Sequence, residues 1–547
     1  MRGLLVALAV ALTLPVLGVL GAWTAIDAGS LDVLRQQFET VLPGYAQQSL
    51  LLVVSVAVGV AAVGGATAAA VTLFEFRGRR VFEWALLLPL AMPAYVLAYA
   101  YTDALNYSGP LQVGLRALTG AKGALWPDVR SLGGAVVLFV ACLYPYVYLL
   151  VRTALAEQAA PMMEAARLLG ASLRRRVLEV ALPMARPALA AGVALALMET
   201  LADYGVGSYF GLTTFTTGIY KAWLVMDDHL AAAQLASVLL VVVAALLWAE
   251  QRAQARIRFA GNRPTAHAGG VASRPLRLQG AQQAVAWIVC GVPILVGFVA
   301  PVVWLVRLLW RETGGGDDGA AASPILSAGY LARFAGWAVS SFQLAAAAAA
   351  AAVFFALLLA FALRRSQGRR AAWLHGAARI VSLGYAVPGA VVAIGILLWA
   401  GALQAWQPQW GAAALVTGTI AGLLYAYMVR FSAVALQSVQ AGYARVPPSI
   451  DESARLLGAG RRRTFFELHL PLLGRTTIAA ALLVFVDTMK ELPATLVLRP
   501  FGSDTLAVVA YQFARDERLA EAALPSLAIV AVGLIPVVLL SRALRAG

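Results

Sequence analysis

Charge is scarce in this chain. Asp, Glu, Lys and Arg make up 13% of its 547 residues, against 61% hydrophobic, where soluble globular proteins carry roughly 25% charged residues. So little polar surface cannot cover several water-soluble domains, which leaves the bilayer as the solvent. Cysteine is nearly absent: Cys142 and Cys290 both lie in apolar stretches, so neither a disulfide framework nor a Cys-based metal centre is supported. The four histidines are scattered without metal-ligand spacing. Lysine is almost as rare, and Lys122, Lys221 and Lys490 are followed by Gly, Ala and Glu. A phosphate-binding loop ends in Gly-Lys-Ser or Gly-Lys-Thr, so any ATP used must be hydrolysed by another polypeptide. No nucleophile–base pair, HExxH or clustered catalytic set appears either, and the chain does not read as an enzyme.

The net charge of +15 would suit a nucleic-acid binder, but its placement argues against one. The basic residues stand in short clusters between long apolar runs, the positive-inside pattern of a membrane protein. A spanning helix needs about 20 apolar residues. Twelve such stretches are predicted at 3–26, 48–74, 82–103, 133–151, 187–204, 232–250, 281–310, 337–363, 378–401, 411–429, 476–492 and 521–541. The first exceeds a signal-peptide core and reads as a retained helix. With both termini cytoplasmic, basic residues favour the inside loops by roughly three to one, and the reverse orientation would invert that bias. The expected fold is an all-α polytopic membrane protein of about twelve transmembrane helices in two pseudo-symmetric six-helix halves. These halves are residues 1–250 and 281–547, joined by a polar, basic cytoplasmic linker at 251–280. The alanine run 345–352 is suited to close helix packing in lipid.

A long-range repeat supports the two halves. EAARLLGA at Glu164–Ala171 returns as ESARLLGA at Glu452–Ala459, an offset of 288, and a Leu-Pro follows each glycine at the same distance, ending at Pro183 and Pro471. Each copy lies between the fourth and fifth helices of its half. Each reads as a short amphipathic helix with an apolar stripe (Ala165, Leu168, Leu169; Ala454, Leu456, Leu457). Gly170 and Gly458 stand at the helix C-termini, followed by Arg174–Arg176 and Arg461–Arg463. One such loop would be explained by anionic lipid headgroups; two matched loops point to two copies of a docking partner.

The pattern EAA, three residues, Gly, then a distal Leu-Pro resembles the EAA loop of binding-protein-dependent ABC importer permeases. That resemblance implies a type I importer fold and two copies of an ATPase subunit that carries the ATP and magnesium, with no cofactor bound by this chain. It implies ATPase-coupling roles for Glu164, Ala165, Ala166 and Gly170, and for Glu452, Ser453, Ala454 and Gly458; Ser453 replaces the middle alanine.

Acids stand in the fifth helix of each half. Under the same offset Glu199 matches Asp487, Thr200 matches Thr488, and Asp203 matches Glu491. Spacing of i, i+4 puts each acid pair on one helix face. Glu199 falls about 12 residues beyond Pro187, roughly 18 Å into the span at 1.5 Å per residue. Carboxylates at that depth usually face a cavity or bundle interior, and hard oxygen ligands suit a hard cation. Glu199, Asp203, Asp487 and Glu491 are therefore candidate metal-contacting residues of a translocation pathway that also includes Thr200 and Thr488. A purely structural alternative has Lys490 paired with a neighbouring carboxylate.

METLADYG, VDTMKELPATLVLRPFG and RLAEAALPS resemble the fused ferric-iron importer permeases. This implies a periplasmic iron-binding protein as donor, iron as cargo and the bacterial inner membrane as location. Related permeases carry thiamine, polyamines, sulfate or phosphonates, and an ion-coupled secondary transporter is a remote alternative. Asp227-Asp228 and Asp516-Glu517 suit either donor contacts or helix caps. Tyr95, Tyr99, Tyr101, Tyr144, Tyr146 and Tyr148 suit either an interfacial aromatic belt or phenolic contacts to iron.

Overall fold

The computed structural model describes every residue except 1, 26–27, 157–159, 262–275, 316–323, 367–368 and 547. Of the expected linker 251–280, residues 262–275 lie outside the described residues, and 251–261 are not loop but continue the helix His229–Gly261. Among those described, nine helices are long and apolar enough to cross a membrane, and three bent pairs raise the number to twelve if each is one crossing. In chain order they are α1 (Gly3–Ala11 with Leu14–Gly21), α2 (Leu42–Leu73), α3 (Arg79–Ala91 with Ala94–Thr119), α4 (Leu132–Ala154), α5 (Leu173–Ala202) and α6 (His229–Arg252). The second half supplies α7 (Ala281–Thr313), α8 (Ala328–Arg364), α9 (Gly389–Trp406), α10 (Ile420–Ala444), α11 (Arg461–Leu472 with Gly474–Met489) and α12 (Leu519–Leu539).

Several predicted spans need correction; the ninth, 378–401, starts only at Gly389, since 378–383 belong to the separate helix Arg369–Leu383. The stretch 411–429 combines a short helix, Ala412–Gly418, with the start of α10, which Thr419 caps. The span runs on to Ala444, so Arg430, expected in a cytoplasmic loop, is buried inside the bundle. The fifth helix begins at Leu173, because the basic segment after the EAA loop continues without a break into the membrane. The third helix bends by 91° at Met92-Pro93, where Pro93 is extended and cannot donate to the helical ladder.

The alanine run serves packing. Ala345, Ala348, Ala349 and Ala352 are buried on one face of α8, which lies against α10 and α11. Small side chains let helices approach closely where lipid removes the hydrophobic drive for association.

The first helix of each half packs on the other half. The Trp399 indole N–H on α9 donates to the Leu14 carbonyl of α1 at 2.5 Å, and the Tyr425 hydroxyl on α10 donates to Ala11 O. Gly18 and Gly395 let α1 and α9 touch. In return α7 lies along the first half. Tyr101 donates to Val296 O at 2.6 Å, and the Trp304 indole N–H donates to Asp103 Oδ2 at 2.8 Å.

Candidate functional site

The repeated loops fold alike. The helices Ala160–Leu168 and Pro448–Leu456 each end at the repeat's glycine, with φ of +79° at Gly170 and +75° at Gly458. Backbone bonds close both ends. Gly170 N donates to Arg167 O and Ala171 N to Ala166 O; Gly458 N donates to Arg455 O and Ala459 N to Ala454 O. This paired pattern is the Schellman motif, whose left-handed residue glycine alone adopts without penalty. The turn leaves pairs of leucines in the open: Leu168 and Leu169 are 83% and 88% exposed, and Leu456 and Leu457 89% and 84%. Two matched apolar knobs are thus presented to the surroundings. Glu164 lies 3.7 Å from Arg167. Glu452, Ser453, Ala165, Ala166 and Ala454 stand on these same two helices.

The loops are anchored differently. In the second half Asp451 is buried between Arg364 Nε (2.6 Å) and His469 Nε2 (2.8 Å). His469 Nδ1 pairs with the Tyr443 hydroxyl at 3.0 Å, and Arg364 also donates to the carbonyls of Tyr443, Val446 and Pro447. At the same offset the first half places Met163, Ala181 and Leu155, all buried and apolar. One lever is held by packing and the other by an ion-paired network.

A cavity lies between the halves, where four stretches of backbone leave the helical path. Helical breaks at this depth are tolerated where the freed backbone is buried in protein or lines a cavity. The breaks at Pro93 and Pro388 precede helices beginning at Ala94 and Gly389. The other two follow α5 and α11, and they separate the acid pairs. The α5 helix ends at Ala202 with Asp203 extended, and α11 ends at Met489. The expected shared helix face is therefore absent: the second acid of each pair caps the next short helix. Asp203 Oδ1 accepts from Val206 N at 2.8 Å. Glu491 accepts from Ala494 N (2.8 Å), Thr495 N (2.9 Å) and the Thr495 hydroxyl (2.5 Å), and takes Arg430 Nη1 at 2.9 Å. Short acidic side chains compete for backbone N–H groups in this way at helix starts.

All four carboxylates line the cavity, but they are not equally available. Glu199 accepts from the Tyr385 hydroxyl at 2.6 Å, so a first-half acid meets a second-half phenol. Asp487 pairs with Lys490 Nζ at 3.0 Å. Thr200 and Thr488 are buried away from the lining and donate to their own helices, at Ala196 O and Val484 O. Among the described residues no three His, Cys, Asp or Glu side chains gather as a metal-holding group. The expected four-carboxylate metal set is thus not assembled, because capping and ion pairs separate its members. Tyr95 and Tyr146 line the cavity, while Tyr101 bonds to α7 and Tyr148 donates to Glu83 O. Asp228 caps α6 through Ala231 N, and Asp227 and Glu517, at similar places before α6 and α12, both have positive φ.

Sequence reasoning missed Arg430 and Tyr385. The signal for Arg430 was the repeat itself: the 288 offset projects α4 onto 420–442, which would have placed that arginine inside the tenth helix. Tyr385 carries no such mark, since its first-half counterpart near the bend is not tyrosine. The pseudo-symmetry fails most clearly in charge. Cys142 stands where the second half has Arg430, and Ala202 where it has Lys490, so both cavity cations come from one half.

Similarity to known proteins agrees with this architecture. The chain is 24% identical over 523 residues to the Fe(3+)-transport system permease protein FbpB 2 of Haemophilus influenzae, covering 95% of this chain and 93% of that one. It is 30% identical over 185 residues to a putative 2-aminoethylphosphonate transport system permease protein, PhnV, of Salmonella paratyphi A, covering 34% of this chain and 64% of the relative. It is 29% identical over 201 residues to the sulfate transport system permease protein CysT of Escherichia coli, covering 36% and 69%. The family described as the binding-protein-dependent transport system inner membrane component matches twice, at residues 61–259 and 352–546, so this chain belongs to that family as a fused, two-domain permease of an ABC importer.

Proposed function

We propose that this permease passes ferric iron, delivered by a binding protein on the outer face, into the cytoplasm. The carrying observation is the cavity between the halves, where four carboxylates and three tyrosines face two cations that are themselves paired. Carboxylate and phenol oxygens are hard donors suited to a hard cation, and the excess of acid disfavours an anion such as a phosphonate or sulfate. The relative aligned over nearly the full length is a ferric-iron permease by name, which supports the same reading.

Two copies of an ATPase subunit, holding ATP and magnesium, dock on the exposed leucine pairs of the two loops. Nucleotide-driven closure of those subunits swings the loops, and α5 turns the first swing into movement beside Glu199. The chain itself needs no bound cofactor. Membrane lipid surrounds it, both termini and the two loops face the cytoplasm, and nucleic acid plays no part. The test is uptake of labelled ferric iron by proteoliposomes containing this chain, its ATPase and its binding protein, with thiamine, a polyamine and a phosphonate run in parallel. ATP-dependent accumulation of ferric iron alone is expected; accumulation of another solute instead would refute the cargo.

A further inference from the structure

The two ion pairs in the cavity are built differently. Arg430–Glu491 is closed: the side chains are 9% and 1% exposed, and the carboxylate is filled by backbone and hydroxyl donors as well. Lys490–Asp487 is open: the side chains are 30% and 21% exposed, and each is the other's ion-pair partner, at 3.0 Å. An ammonium on a flexible four-carbon stem is a movable point charge, unlike a guanidinium held in a fork.

Lys490 is also not required by the backbone. It sits at the C-cap of the helix Gly474–Met489. The first half makes the corresponding break after Ala202 with no cation at all. Across the same cavity Glu199 accepts from Tyr385, and Tyr146 and Asp487 share the lining with them. Lys490 lines the same cavity as Glu199 and Tyr146 while its ammonium is paired with Asp487. If Lys490 were removed, two carboxylates and two phenols from both halves would face the cavity with no cation among them. Such a set of oxygen donors would hold a hard cation firmly. Passage requires the opposite, binding weak enough for the cargo to leave.

We propose that Lys490 is a tethered competitor: its ammonium holds the Asp487–Glu199 position while the cavity is empty, and an incoming cation binds by displacing it. Lys490 thereby keeps the cavity a conduit instead of a store, and its return to Asp487 helps eject the cargo. At the carboxylates one cation replaces another; where Tyr385 or Tyr146 also ligates, its phenolic proton passes to solvent as the phenolate–metal bond forms. This inference rests on the cargo being a hard cation, as proposed above.

The test compares the full-length wild-type chain with Lys490→Met, Lys490→Arg and the double variant Lys490→Met/Asp487→Asn. Citrate-buffered ferric iron and gallium(III) serve as probes, and metal is counted on protein after gel filtration. Lys490→Met should bind ferric iron at least tenfold more tightly than wild type and retain about one equivalent. A visible phenolate-to-iron charge-transfer band would mark Tyr385 or Tyr146 as a ligand. Lys490→Arg keeps the charge and should retain no metal, but it should import more slowly than wild type because a forked guanidinium leaves Asp487 less readily; the double variant should lose the retained metal. In complete proteoliposomes Lys490→Met should lower both KM and the maximal uptake rate, which mere misfolding would not do. Equal metal retention by wild type and a monodisperse Lys490→Met, while wild-type proteoliposomes still import iron, overturns the competitor and leaves the cargo standing. Failure of wild-type proteoliposomes to import iron while they import another solute overturns the cargo instead.

Discussion

Gly458 offers a clean perturbation, because its cost is conformational and nothing else. At φ +75° a Cβ placed there meets no atom within 4 Å, so an alanine would not clash. It would, however, hold an L-residue in the left-handed region, at about 1–2 kcal/mol. That is a factor of roughly 5–30 in the population of the closed turn. Asparagine visits this region with a smaller penalty, and valine, being β-branched, with a larger one. The expected order of coupling is therefore Gly, Asn, Ala, Val, and the same order at Gly170, where φ is +79° and the surroundings are equally open. The assay is solute imported per ATP hydrolysed in proteoliposomes with ATPase and binding protein, alongside insertion and monodispersity, which should not change. A valine variant at wild-type efficiency in both loops, or alanine and asparagine variants that cannot be told apart, would refute the link between the turn and coupling.

Other outcomes follow from the same geometry. Replacing Leu456 and Leu457 by serine should abolish co-purification of the ATPase at that loop while leaving the thermal midpoint of the chain unaltered, since both side chains are over 80% exposed; a large drop in midpoint would place them in a core instead. Asp451→Ala strands Arg364 and should cost about 3–5 kcal/mol, as breaking a buried pair does, whereas Asp451→Leu with Arg364→Leu should recover most of it; a non-additivity near zero in that cycle would deny the network. Arg430→Met should destabilise the chain by a similar amount and Arg430→Met/Glu491→Gln by less, read from denaturation in detergent. In a background without Cys142 and Cys290, a cysteine at Leu168 should react with an impermeant thiol reagent only from the ATPase side, and one at the fully exposed Phe501 only from the other; labelling of both from one side would reverse the proposed topology.

Much of this was legible because duplication writes itself twice. The EAA loops stood out from two octapeptides, and their glycines announced left-handed turns that both halves adopt. The bends at Pro93 and Pro388 carried the ordinary proline signal. Hydropathy alone misplaces the tenth span, since the apolar residues 411–418 precede α10 while its middle and second half, with Arg430 and Gln437, are more polar. The acid pairs were found but misread: i, i+4 spacing presumes an unbroken helix, and capping by Asp203 and Glu491 breaks it between the two acids. The partners Tyr385 and Arg430 depend on which helix lies opposite. So does the exchange of α1 and α7. Contacts such as Trp399 with Leu14 join residues 385 positions apart, and no local pattern encodes them.

That exchange limits how the protein can move. Because α1 clasps α9 and α7 clasps α3, neither bundle can swing clear of its twin without dragging along a limb of the other. A transport cycle that keeps these contacts would have to part the seam at the cavity while the crossed arms hold the outer walls joined.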